Sequence, residues 1–304
     1  MDNSSRIYEL VIVGAGPAGI TAAVYAARKK MDFLVVAANL GGQVALSSMI
    51  ENYTGFQYIT GEDLTAKFHE HLQKYEFDFK IDEVQKVERE EKNFKIRTSS
   101  SAYSGKTVVI ATGRKPRELN IPGEATLKNR GVSYCATCDA PLFEGLDVAV
   151  VGGGNSGLEA VIQLEKIANN IHLVHRGAKL TADEFLQDKV QVSDKVKIWA
   201  NTQVREIRDN QAVKEIELEK EGEKIVLPVQ GVFIEIGSVS NSDVVDFVQK
   251  NQRGEIIVNC RCETSIPGLF AAGDVTNVPQ KQIVVAAGEG CKAVLQAFSY
   301  LSQR

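Results

Sequence analysis

One pattern, met twice, constrains this chain more than anything else: an apolar strand, a glycine-rich turn, then a helix. Residues 7–13 (IYELVIV) read as a buried strand, and Gly14-Ala15-Gly16-Pro17-Ala18-Gly19 as the turn. ITAAVYAARKK follows as an alanine-rich helix with its charges at the end, and residues 33–38 (FLVVAA) supply the next strand. The pattern restarts with a strand at 146–151 (LDVAVV) and the turn Gly152-Gly153-Gly154-Asn155-Ser156-Gly157. A helix over LEAVIQLEKIA and a strand at 171–176 (IHLVHR) complete it. In each turn the first glycine allows the tight bend. The second lets a pyrophosphate approach the backbone, and the third lets the helix pack closely on the strand. The helix N-terminus then meets the phosphate charge. The expected fold class is α/β, with two Rossmann-like dinucleotide-binding domains.

The strand ends distinguish the two turns. An acidic residue about 20 positions past such a turn usually holds the ribose hydroxyls. Here the first of these strands ends Val36-Ala37-Ala38-Asn39, which speaks against a simple NAD site and leaves FAD. The second ends His175-Arg176. Arg176 would pair with a 2'-phosphate and favour NADPH; the alternative is a solvent-facing arginine at a strand end. His172 and His175 read as ordinary strand histidines. One reduced nicotinamide and one flavin form the economical pair, with hydride entering from the nicotinamide and the flavin passing electrons into thiol chemistry.

The chain has five cysteines and no export signal, which argues against a disulfide scaffold. The informative group is Cys135-Ala136-Thr137-Cys138, placed just before the second domain's first strand. Cysteines at i and i+3 bring their sulfurs together in a helical turn. Asp139 follows directly and is placed to pass a proton to or from a thiol. Three other readings stand beside the redox one: half a zinc site completed by Cys260 and Cys262, two buried thiols, or an incidental surface pair. The redox reading leads because a flavin in the same chain would give the disulfide an electron source. Cys260 and Cys262 flank Arg261 on a strand edge without an assigned role, and Cys291 lies in a helical pattern facing the core.

Between the two turns, residues 62–76 read as a helix and 79–110 as short strands with charged turns, closing on TVVIATG at 107–113. The Lys-Glu-rich stretches at 86–95 and 214–224 read as solvated hairpins or strand edges. Pro116 and Pro122 mark a linker near 114–130, and short strands fill 195–236, ending in GVFIEIG at 231–237. After residue 245 come strand-like EIIVNC, then GLFAAGD at 268–274, and a helix over 281–301. That remainder is too short for a domain, so it is expected to fold back onto the first. The FAD domain is then discontinuous, 1–115 and 246–304, with an NAD(P)H domain inserted at 116–245.

Charge and hydropathy exclude two classes. With 35 basic against 39 acidic residues and no basic stripe, nothing suggests a nucleic-acid partner. No stretch approaches the roughly 20 apolar residues of a membrane helix. The N-terminus, Met1-Asp2-Asn3-Ser4-Ser5-Arg6, does not read as a signal peptide, and the expected address is the cytoplasm.

Over nearly its whole length the chain resembles the low-molecular-weight thioredoxin reductases. The resemblance rests on GAGPAGITAAVYAARK at 14–29, GGQ at 41–43, ENYTGF at 51–56 and ATG at 111–113. YCATCDAPLF at 134–143, GGGNSGLEA at 152–160 and GLFAAGDV at 268–275 complete the set. It implies that the 14–19 turn holds the FAD pyrophosphate and that Gln43 and Asn52 lie along the flavin. Asp274, after Gly273, would bind the ribityl chain or the adjacent phosphate, and Gln282 would approach the isoalloxazine edge. Gly42, Gly113 and Lys281 join this cofactor-binding set. Gly152, Gly154, Asn155, Ser156, Gly157 and Arg176 would hold NAD(P)H. Cys138 would exchange with the flavin, Cys135 would attack the partner's disulfide, and Asp139 would be the acid. The resemblance further implies a homodimer whose two domains rotate, and a thioredoxin or glutaredoxin-like protein as partner.

Departures from the family matter for the donor. Only Arg176 remains of three expected arginines, with Lys179 nearby as a point charge, so NADPH, NADH or both stay open. GNSGLEA, DEFLQDKV at 183–190 and KQIVVAAGEG at 281–290 look more like the flavoprotein component of alkyl hydroperoxide reductase. The expected function is thioredoxin-disulfide reduction. The alternatives are an NADH-dependent component of a peroxiredoxin system, an NADH oxidase, a flavoprotein fed by another donor such as a ferredoxin, and a redox-sensing flavoprotein without turnover.

Overall fold

The structure is a computed structural model that describes residues 6–46, 50, 52–128, 130–209 and 211–303; the side chains of Leu46, Thr137 and Cys138 lie outside the described set. The chain divides into two compact units, Met1–Lys115 with Val239–Arg304, and Pro116–Ser238.

The first unit is built on β1 (Ile7–Ala15), β2 (Phe33–Leu40), β3 (Asp78–Ile81), β4 (Val84–Arg89), β5 (Phe94–Thr98), β6 (Ala102–Ile110) and β17 (Leu269–Ala271). Their order is β3-β2-β1-β6-β5-β4, with β17 also on β6. β1, β2, β3, β6 and β17 pair in parallel, while β4 and β5 form an antiparallel hairpin beside β6. Along β1 the side chains alternate between two cores: Leu10 and Ile12 join one, Val11 and Val13 the other. Helices α1 (Pro17–Arg28), α2 (Gly61–Leu72) and α6 (Ile283–Ser302) belong to this unit. α1 starts with Pro17 at its first position and buries Ala18, Ala22, Ala23 and Ala26. That small-residue face lets α6 come very close: a Cβ on Gly290 would lie 2.0 Å from the Ala18 carbonyl oxygen.

The second unit holds a parallel sheet of β8 (Val132–Ser133), β9 (Val148–Val151), β10 (Ile171–Val174), β11 (Val196–Trp199) and β15 (Gly231–Ile234), in the order β11-β10-β9-β15-β8. All four residues of β9 and of β15 are buried, as expected where both sheet faces are covered. Helices α3 (Ala136–Asp139), α4 (Asn155–Leu164) and α5 (Glu184–Gln191) accompany it. β12 (Thr202–Arg208), β13 (Glu215–Lys220) and β14 (Glu223–Pro228) form an antiparallel sheet laced by exposed pairs such as Arg205–Glu219 at 2.9 Å. Two short strands, β7 (Arg114–Pro116) and β16 (Ser238–Ser240), pair where the chain crosses between units.

Several expectations are corrected. The chain returns to the first unit at Val239, ahead of the expected 246, because 240 and 241 bond there: Ser240 Oγ donates to the Val275 carbonyl and the Asn241 N–H to Gly113. EIIVNC is not a strand. The Asn251 side chain accepts from the N–H groups of Arg253 and Glu255, and Asn259 from those of Arg261 and Glu263, folding the segment into turns. Cys260 therefore sits in a turn, and Cys291 is half-buried rather than fully in the core. The dithiol segment follows a short strand, β8, rather than preceding the unit's first one. Among the described residues, no helix is long and apolar enough to cross a membrane, and no cluster of three or more His, Cys, Asp or Glu side chains could hold a metal ion.

Candidate functional site

The first turn is shaped by what its glycines leave out. Gly14 has φ of 107°, and a Cβ there would meet the Ala111 carbonyl oxygen at 2.3 Å. A Cβ on Gly19 would lie 1.9 Å from the Gly14 carbonyl oxygen. Gly16 differs: its nearest neighbour would be the Gly41 carbonyl at 3.9 Å, so its outer face is open. Gly16 is also the N-cap of α1 and offers no side-chain cap, leaving the first N–H groups for an outside acceptor. Two positions press close around this opening. A Cβ on Gly42 would stand 3.3 Å from the Gly16 Cα, and one on Gly273 3.0 Å from the Ala18 Cβ.

The other residues expected at the flavin gather in the same unit. Asn52 donates from Nδ2 to Gln282 Oε1 at 3.1 Å, and Gln43 Nε2 donates to the Arg114 carbonyl at 2.5 Å. Gly113 takes φ of 66°, where glycine is favoured. Gly273 N–H donates to the buried Glu289 carboxylate at 2.9 Å. Lys281 Nζ donates to the Asp274 carbonyl at 3.2 Å and pairs with Glu255 at 3.1 Å, which also holds Arg114 at 2.8 Å. Burial pushes the Asp274 carboxyl up, while Lys281 and Arg114 pull it down.

The second turn repeats the device. A Cβ on Gly152 would lie 2.1 Å from the Glu235 carbonyl oxygen, and one on Gly157 2.1 Å from that of Gly152. Gly154, the N-cap of α4, again has an open side, with Thr181 Oγ1 at 3.7 Å, and no side-chain cap. Asn155 is engaged: its Nδ2 donates to Asp183 Oδ2 and its Oδ1 accepts the Asp183 N–H, both at 2.9 Å. Ser156 is exposed at the start of the helix. Arg176 is exposed just past β10, whereas His175 is buried beneath Gly153 and its imidazole is held down by that burial. His172 accepts from the Trp199 indole at 3.2 Å and is likewise lowered by burial. Both histidines are packing residues, as read.

In the dithiol segment Cys135 is disulfide-bonded, and Cys260, Cys262 and Cys291 are free thiols. The side chain of Cys138 lies outside the described residues. Cys135 is pinned through its backbone: its N–H donates to Ser133 Oγ at 3.0 Å, and its carbonyl accepts the Asp139 N–H at 3.1 Å. Tyr134 Oη donates to Glu124 Oε1 at 2.7 Å, and that buried carboxylate also takes the N–H groups of Leu119 and Asn120 at 2.8 and 2.6 Å.

Sequence reasoning missed several partners. Glu235 accepts the Ala136 N–H beside the dithiol; burial pushes its carboxyl up to about 7, the Ala136 bond opposing and Glu159 reinforcing the rise. Glu289, Glu124 and Gly290 were also missed. Glu235 and Gly290 act across long stretches of chain, Glu124 binds residues no more than 10 positions away, and the motif KQIVVAAGEG did not reveal the contacts of Glu289 and Gly290. Each unit by itself fits one dinucleotide: its helix start is uncapped by side chains, and its middle glycine faces open space where a phosphate would approach.

Comparison with known proteins agrees. Residues 8–290 match the family described as pyridine nucleotide-disulphide oxidoreductase. The chain is 42% identical over 300 residues to a Bacillus subtilis protein named NADH dehydrogenase, covering 97% of this chain and 58% of that protein. It is 40% identical over 299 residues to an alkyl hydroperoxide reductase component of Staphylococcus aureus, covering 97% of this chain and 59% of that one. The chain thus spans less than two thirds of these relatives' length. Among solved structures, Lactococcus lactis thioredoxin reductase (FR conformation) superposes with a TM-score of 0.91 at 33% identity, covering 98% of this chain and all of that one. Flavoproteins of these types use FAD and NAD(P)H. The chain, with two uncapped glycine turns and a disulfide-bonded cysteine in one of its units, belongs to the pyridine nucleotide-disulphide oxidoreductases.

Proposed function

We propose that this chain is a thioredoxin-disulfide reductase, whose Cys135–Cys138 disulfide is reduced from NAD(P)H and in turn reduces a thioredoxin or a glutaredoxin-like protein. The observation that carries the reading is a disulfide-bonded Cys135 in the same unit as one uncapped glycine turn, in a chain that holds a second. With FAD and a nicotinamide bound, the two groups supply hydride and electron-pair transfer. The chain's residues do the rest. The N–H groups at the starts of α1 and α4 hold the two pyrophosphates. Gln43, Asn52, Asp274, Lys281 and Gln282 orient the flavin, and Arg176 contacts the adenosine ribose of the nicotinamide dinucleotide. Once the disulfide is opened, Cys135 as thiolate attacks the partner's disulfide, forming a mixed disulfide and releasing one partner thiolate. Cys138 then attacks Cys135 sulfur, closing the ring and freeing the second partner thiolate. Asp139 donates a proton to the leaving thiolate.

The second reading is the NADH-dependent reductase component of an alkyl hydroperoxide or peroxiredoxin system. It is favoured by the 40% identity to the Staphylococcus aureus alkyl hydroperoxide reductase component and by the single arginine after β10. Anaerobic mixing with NADPH and NADH in parallel tests both. Rapid bleaching of the flavin absorbance, followed by reduction of a thioredoxin, supports the reductase; turnover that needs a peroxiredoxin and NADH supports the second reading. Full disulfide reduction by a Cys138→Ser variant would sink the dithiol route.

A further inference from the structure

Glu235 occupies a position in the second unit that the reductase reading has not used. It is the first residue past β15, the strand that lies between β9 and β8. The register pairs Ile234 with Val151 on one side and Phe233 with Ser133 on the other. One step further, β9 becomes Gly152 of the glycine turn, while β8 runs through Tyr134 into Cys135. Glu235 therefore emerges at the carboxyl edge of the sheet, between the nucleotide turn and the dithiol. From β9 the chain winds away to β10 and β11, and β15 and β8 lie on the other side. Such an edge is where an open α/β sheet takes its ligand.

Three contacts fix the residue there. Its N–H donates to the Val151 carbonyl at 2.8 Å. Its own carbonyl occupies the space that Gly152 leaves by lacking a side chain. Its carboxylate accepts the N–H of Ala136, next to Cys135. The carboxyl is half-buried, so a negative charge on it is screened less than that of a fully exposed carboxylate.

We propose that Glu235 is the proton-holding and positioning residue of the dithiol: its ionised form grips the Ala136 amide and opposes a negative charge on Cys135, so that the Cys135 thiol ionises as Glu235 takes up a proton. This rests on the reading of Cys135 as the attacking thiol. The exchange moves no electrons. In the reduced protein Cys135 loses one proton and Glu235 gains one by way of solvent, and the pair keeps a single negative charge throughout. The other charged groups are accounted for. Glu159 on α4 raises Glu235, and is itself raised by burial and by Asp183, the residue tied to Asn155. Asp139 ends the dithiol helix. Burial places the Glu235 titration at about 7, where thiols near neutral acidity also begin to ionise.

The test reduces the holoenzyme with dithiothreitol, removes the reductant, and follows iodoacetamide labelling of the Cys135 peptide from about pH 5 to about pH 10. In Glu235→Gln the labelling profile above about pH 7 should move to the acid side by about one pH unit, with roughly several-fold faster labelling near pH 8 and little change near pH 5. Glu235→Asp, which keeps the charge, should follow the wild type more closely. Retained flavin and a single cooperative unfolding transition certify the fold. A folded Glu235→Gln with the wild-type profile overturns the proposal. If that variant loses its flavin, the wild-type profile decides: two inflections support the coupling and a single one overturns it. Chemical reduction makes the result independent of nicotinamide. A shifted profile without nucleotide-driven turnover therefore sinks the proposed function alone, and normal turnover with an unshifted profile sinks the role of Glu235 alone.

Discussion

Asn52 and Gln282 lie 230 residues apart in the chain and share a hydrogen bond of 3.1 Å. Gln282 is the N-cap of α6, so the bond ties the start of the last helix to Asn52 in the first part of the chain. If this latch orients the flavin, Asn52→Ala and Gln282→Ala should each weaken FAD binding by roughly five- to tenfold. The double variant should cost little more than either single one. Titration of flavin-stripped protein with FAD, read by fluorescence quenching, measures all three; additive losses would show that the two side chains act separately.

The glycines should fall into two classes by the space around them. Gly19→Ala and Gly157→Ala place a Cβ about 2 Å from a backbone carbonyl, so each should lose on the order of 3 kcal/mol of stability or fail to fold. Gly16→Ala and Gly154→Ala meet nothing closer than 3.9 and 3.7 Å. These should unfold at close to the wild-type temperature yet bind FAD and NAD(P)H, respectively, at least tenfold more weakly. Calorimetry beside cofactor titration separates the classes.

Two of the thiols outside the dithiol, Cys260 and Cys262, should differ in reactivity. Burial pushes Cys262 up to about 12, with Glu289 adding to the rise, while Cys260 is exposed. The thiolate is the reactive form, so near neutral pH Cys260 should alkylate at least ~100-fold faster than Cys262. Peptide mapping after a brief iodoacetamide pulse on the folded protein checks this, and equal labelling would refute the burial of Cys262.

Arg176 is exposed just past β10, and under the proposed function it contacts a 2'-phosphate. Arg176→Ala should raise KM for NADPH about tenfold and leave KM for NADH within about twofold. Steady-state kinetics with both nucleotides gives the answer, and equal effects would remove Arg176 from specificity.

Glu235 also makes a prediction for stability. Its folded titration is raised above that of a free glutamate, so folding favours the protonated form. The stabilisation is fully present below about pH 4.5 and is lost as pH rises through about 7. The unfolding temperature of Glu235→Gln should therefore gain on that of wild type across this window and run parallel to it above about pH 8. A gap that does not change with pH would refute the buried titration.

What was legible in the chain was local. Strand, turn and helix around Gly14–Gly19 and Gly152–Gly157 follow from short-range periodicity and from three glycines each. The charged hairpins at β4–β5 and β13–β14 declared themselves by composition. The illegible part is made of contacts across long separations. Nothing near Gly14 says that the Ala111 carbonyl fills its missing side chain, and nothing near Gly152 points to Glu235. Within GVFIEIG, Glu235 reads as an ordinary polar residue at a strand end, and the register of β8, β9 and β15 alone puts it beside Cys135. EIIVNC misled because apolar content signals a strand, while Asn251 and Asn259 compete for the backbone N–H groups that a ladder would need.

The tight seat of Gly290 on the Ala18 carbonyl has a consequence for birth on the ribosome. The second unit is one unbroken stretch and is complete as soon as Ser238 has emerged. The first must wait with its α1 face bare until Gly290 arrives. During synthesis, then, the unit that carries the cysteine pair can mature while the other is still an unsealed sheet, whose α1 face stays exposed through the stretch of translation between Ser238 and α6.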